Sequence, residues 1–102
     1  MTPQERRLRS QITQLVAGYP FLRGTLVERE RVCGKPNCRC AKGQKHPGLY
    51  LMASKNGKTR QLYVPVHLQD TVQQWIDCHN ETRDLMEQVS DLHWARVRQR
   101  KP

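Results

Sequence analysis

Between Glu30 and Asp70 the chain has no aspartate or glutamate. That gap removes the carboxylate on which most hydrolytic metal sites and acid–base pairs rely, and no nucleophile, base and orienting group stand together elsewhere. A non-catalytic protein is the expectation. The chain has one phenylalanine and only 6% aromatic residues, with 36% apolar residues over 102 positions. These values allow a single small domain over 1–102 with a modest core. No apolar run approaches the roughly 20 residues of a membrane span, and there are no internal repeats or low-complexity tracts. The residues after Met1 do not read as a signal peptide, which makes a reducing cytoplasm the expected compartment.

The run CGKPNCRCAKGQKH, from 33 to 46, places Cys33, Cys38, Cys40 and His46 in one turn-rich segment. Three thiols and an imidazole suit a tetrahedral Zn2+, and Gly34, Pro36, Asn37 and Gly43 permit the tight turns that wrapping so small a sphere demands. Disulfides explain the spacing less well. Cys38 and Cys40 are too close to bridge comfortably, and any local pair leaves a third thiol over. His46 is the expected fourth ligand, with His67 and Cys78 as alternatives. Cys78 falls mid-helix, where a free cysteine is usually a small buried apolar side chain. His79 lacks an i, i+4 partner, and His93 reads as an interfacial or surface histidine. Structural zinc would compensate for a small core.

Eighteen basic and nine acidic residues give a net charge of +9, unevenly spread. From Arg23 to Arg60 ten basic residues face only Glu28 and Glu30, whereas 66–94 holds six carboxylates against Arg83 alone. Arg6, Arg7 and Arg9 sit near the front, and 96–102 is a basic tail. The cationic field is centred on the cysteine run, where it can meet a polyanion.

Thr2, Pro3 and Glu5 form a helix-start signature, with Thr2 as N-cap and Glu5 in a capping box. Leu8, Ile12, Leu15 and Val16 make one stripe before Gly18 and Pro20, predicting a helix over 1–18. Thr25 to Val32 reads as an edge strand. Leu49–Ser54 and Thr59–Val64 flank Asn56-Gly57, a strong hairpin signal. A two-residue turn pairs Lys55 with Lys58, Met52 with Gln61, Leu51 with Leu62, Tyr50 with Tyr63 and Leu49 with Val64. One face then carries Leu49, Leu51, Leu62 and Val64 for packing on helices, and the other carries Tyr50, Met52 and Tyr63. After Pro65 a helix is expected over 66–95, with a stripe of Leu68, Val72, Trp75, His79, Thr82, Met86, Val89 and His93, widened by Ile76, Leu85 and Leu92. Its distal half outruns the sheet and needs either the first helix or a second copy of the chain, so a homodimer is expected. The fold class is α+β: N-terminal helix, three-stranded antiparallel sheet with an inserted zinc loop, long C-terminal helix.

With these parts the chain resembles a widespread family of small prokaryotic proteins of unknown function. Its core reads G-x-L-v-x-R-x-R-r-C-G-k-x-n-C-x-C-A-x-G-x-x-H-g before a Tyr-containing hairpin and a Trp-bearing helix. The matching run is Gly24 to Gly48, then Tyr50, Gly57, Tyr63, Val64, Pro65 and Trp75, and the likeness extends over about 23–90. His46-Pro47-Gly48 stands where relatives tend to read His-Gly-Pro. The resemblance implies a cytoplasmic, metal-binding, prokaryotic or phage-borne protein and supplies no activity.

Nucleic-acid binding is the leading functional expectation, DNA ahead of RNA, in a regulatory or mobile-element accessory factor. The contacting residues would be Arg29, Arg31, Lys35, Arg39, Lys42, Lys45, Lys55, Lys58 and Arg60, with Tyr50 and Tyr63 stacking unpaired bases unless the first helix covers them. The alternative is a protein-interaction or oligomerisation adaptor in which zinc is purely structural.

Overall fold

The computed structural model describes residues 1–31 and 46–101. Helix α1 spans Pro3–Gly18, strand β1 Thr25–Arg31, strand β2 His46–Lys55, strand β3 Lys58–Val64 and helix α2 Gln69–Arg98, with a 3-10 turn over Val66–Leu68. The strands form one antiparallel sheet in the order β1-β2-β3, so the α+β arrangement holds. The chain divides into two compact units, Arg23–Gln73 and Met1–Leu22 with Gln74–Pro102. No helix among the described residues is long and apolar enough to cross a membrane.

In the sheet unit the turn does what its residues require. Asn56 and Gly57 both adopt positive φ, 54° and 76°, a conformation matched to strand twist that Asn and Gly adopt at least cost. The β2–β3 register is the one the two-residue turn predicts, from Lys55↔Lys58 to Leu49↔Val64. β2 starts three residues earlier than expected, at His46 rather than Leu49. Pro47 is tolerated in this strand because β3 ends opposite Leu49 and leaves β1 beside it. Leu62 was expected to pack on helices but is 66% exposed, since among the described residues β3 is an edge strand with a neighbour on one side only. Val64, on the same face, is buried.

In the helical unit, Thr2 caps α1 as expected, its Oγ1 accepting the Glu5 N–H at 3.2 Å. The Glu5 carboxylate is not left in water. Buried in this unit, it takes Arg9 Nε at 2.7 Å and His93 Nε2 at 3.1 Å. Arg9 is therefore a partner in an ion pair. Arg96 Nη1 lies 3.2 Å from His93 Nδ1, a further contact to the same ring. Near the other end of α1, the buried Cys78 thiol faces the Leu15 carbonyl oxygen at 3.9 Å. The two helices thus run antiparallel, and α1 partners the distal half of α2. The Leu22 N–H also donates to the Trp75 carbonyl at 3.1 Å, tying the segment after α1 to α2.

The buried side of α2 follows most of the expected stripe. Val72, Ile76, Cys78, Thr82 and Leu85 are buried, whereas Met86 is 58% and Leu68 39% exposed. Thr82 satisfies its hydroxyl by donating to the Cys78 carbonyl at 2.8 Å. The helix also runs to Arg98, into the stretch expected as a tail, with Arg96 and Arg98 favourably placed in its last turn.

Truncating Ile76 to alanine removes buried volume and should cost about 2–5 kcal/mol in urea unfolding, against about 0.5 kcal/mol for Leu62→Ala. The Arg9 hydrogen bond lowers the Glu5 pKa from its ordinary value despite opposing desolvation, and the charges of Arg9 and His93 add to the lowering. A carboxyl with a lowered folded pKa contributes stability above the ordinary carboxylate range and loses it as pH falls through the folded value. Glu5→Gln should therefore lower stability at neutral pH and flatten the acid limb of a stability–pH curve.

Candidate nucleic-acid interface

Alternation along the strands sorts the sheet residues into two rows. One face carries Leu26, Leu49, Leu51, Leu62 and Val64 and, towards the hairpin tip, Lys55, Lys58 and Arg60. The opposite face carries Val27, Arg29, Gly48, Tyr50, Met52, Gln61 and Tyr63. The expected contact residues are thus brought together in two groups rather than one.

The tip group is Lys55, Lys58 and Arg60, all exposed. Lys55 and Lys58 are directly opposed, an arrangement that costs stability through like-charge repulsion. Among the described residues none of the three pairs with a carboxylate. Arg23 is also held by a backbone oxygen, that of Ser54, so its charge remains unneutralised.

The aromatic group is built differently. Tyr50 and Tyr63 meet edge to face, centroids 5.6 Å apart and planes at 65°. Tyr50 is 8% exposed and Tyr63 43%, so Tyr63 offers the accessible ring and Tyr50 supports it. Gly48 lies beneath: a Cβ there would fall 3.2 Å from Tyr63 Cε2. Arg29 reaches across the central strand to Gln61 Oε1 at 3.3 Å, over the row that holds Tyr50. Gln61 and Gly48 escaped the sequence reading. The register alone places them in the tyrosine rows, but the Arg29–Gln61 contact joins residues 32 apart and has no local signal.

Cys33, Cys38, Cys40, Lys35, Arg39, Lys42 and Lys45 lie outside the described residues. For Arg31 and His46 the backbone pairing is defined: they oppose each other at the end of the β1–β2 ladder. This pairing sets the backbone of His46 across from a residue two positions before Cys33. Of the alternative ligands, Cys78 is a buried thiol of the helical unit, and His67 is exposed in the 3-10 turn. Among the described residues no three histidine, cysteine, aspartate or glutamate side chains gather as a metal site.

Comparison with curated proteins and with solved structures found no match. A family match covers residues 4–74, from α1 through the sheet into the start of α2, and on that basis the chain belongs to the family described as Domain of unknown function (DUF6788).

Proposed function

We propose that this chain is a small zinc protein that binds nucleic acid, DNA ahead of RNA, without catalysing a reaction. The observation that carries the reading is the hairpin tip: Lys55 opposite Lys58, with Arg60 on the same face and no carboxylate paired to them among the described residues. A fold that tolerates this repulsion gains when phosphates enter, since each neutralised phosphate also releases counterions. Lys35, Arg39, Lys42 and Lys45 extend the same field along the sequence, as do Arg29 and Arg31.

Cys33, Cys38, Cys40 and His46 would hold the Zn2+. The donor set fits a closed structural site, and the Arg31↔His46 pairing supports it by drawing the two ends of the cysteine run together. In this setting zinc supplies folding energy, on the order of 10–16 kcal/mol in small finger peptides. A cytoplasmic, prokaryotic or phage setting and a role as a regulatory or mobile-element accessory factor are part of the same proposal.

A specific observation favours a second reading, an adaptor with purely structural zinc. Val16, Met86, Trp94 and Val97 of the helical unit are exposed at 46%, 58%, 64% and 72%, large apolar side chains that another chain, including a second copy, could cover.

Purified protein should contain equimolar zinc by elemental analysis, lost in Cys38→Ser and Cys40→Ser. Labelled duplex DNA should bind with a log–log salt slope near about −0.9 per phosphate contacted. Reversing charge at Lys58 and Arg60 should weaken binding about tenfold or more and reduce the slope by about one per lost contact. Binding that ignores salt and survives these reversals, but fails on Met86→Ser with Trp94→Ser, would establish the adaptor instead.

A further inference from the structure

We infer that the tyrosine face of the sheet holds an unpaired base of single-stranded nucleic acid, stacked on the Tyr63 ring with its neighbouring phosphate against Arg29. The inference rests on the nucleic-acid reading above and specifies the strand form that this reading leaves open.

Four features converge on this site. Tyr63 keeps 43% exposure on an edge strand, whereas its partner Tyr50 is buried and braces it edge to face at 5.6 Å. Gly48 supplies the space in which the ring lies, since any larger residue would press on Tyr63 Cε2 from 3.2 Å. Arg29 is held by Gln61 on the same face, through one N–H of a guanidinium that carries several. All five residues belong to the sheet unit, whose ladder fixes their rows.

A braced ring loses little freedom when a ligand stacks on it, which is the condition for stacking to yield net affinity. Bases within a duplex already stack on their neighbours and present only their edges, so a flat aromatic surface selects bases that are unpaired. The opposite face offers tip cations without an aromatic ring and so has no means of making this distinction. The sheet therefore separates two tasks: Lys55, Lys58 and Arg60 serve any polyanion, and Tyr63 with Arg29 serves the single strand.

The test measures fluorescence anisotropy of the full chain with labelled oligothymidylate and with a duplex of equal length. Tyr63→Ala should weaken single-strand binding about tenfold while changing duplex binding by less than about twofold. Tyr63→Phe should retain wild-type affinity. Tyr63→Leu, which keeps apolar packing against Gly48 and Tyr50, should lose single-strand affinity as alanine does, separating stacking from folding; thermal melts report any loss of fold. Arg29→Ala should weaken single-strand binding and lower its salt slope. Equal losses on both probes, an unchanged Tyr63→Ala, or a Leu variant that behaves as wild type would overturn the platform and leave nucleic-acid binding standing. A wild-type protein that binds neither probe would overturn both.

Discussion

The sheet depends on one backbone event, the two-residue turn at Asn56-Gly57. With both residues at positive φ, the turn closes Lys55 onto Lys58 and sets every pair up to Leu49↔Val64. Because β2 is the central strand, the same register orients the side that β1 meets, from Thr25↔Met52 to Arg31↔His46. A slip of one residue would exchange the faces of the paired strand and separate Tyr63 from Tyr50. The tip cations, the tyrosine pair and the Arg29–Gln61 contact are all consequences of that pairing.

The helical unit solves a different problem. It has few large apolar side chains to bury, and it seats polar groups by matching them instead. Glu5, 6% exposed, is compensated by Arg9 and His93, and Thr82 returns its hydroxyl to the backbone of its own helix. A buried carboxylate left alone would be costly, so the Glu5 cluster is a condition for α1 and α2 to close at that end. His79 Nδ1 is the exception, buried without a hydrogen-bond partner among the described residues.

Local chemistry made most of the fold legible in the sequence. Thr2-Pro3 and Gly18 delimit α1, and Asn56-Gly57 yields the hairpin with its register, because caps and tight turns are decided by a few adjacent residues. Periodicity also found most of the buried side of α2, Val72, Ile76, Thr82 and Leu85, but it admits Met86 as readily as Leu85, and only packing selects the latter. Leu62 and Leu51 occupy one row and look alike in sequence, yet an edge strand exposes the first. Likewise the two tyrosines read as equivalent, while the central strand buries Tyr50 and the outer strand leaves Tyr63 exposed. The candidate metal ligands were read from spacing alone, and the structure adds to them only the backbone position of His46.

The outer margin of β3 has a consequence for solution behaviour. One side of this strand pairs with β2, and among the described residues no strand pairs with the other, which leaves amides and carbonyls able to recruit a further strand. Lys58 and Arg60 guard that margin, since mutual repulsion keeps two copies from zipping together. Their protection is electrostatic and therefore conditional: high ionic strength, or a polyanion lying along the hairpin, would disarm it and bring neighbouring molecules within reach of edge-to-edge self-association.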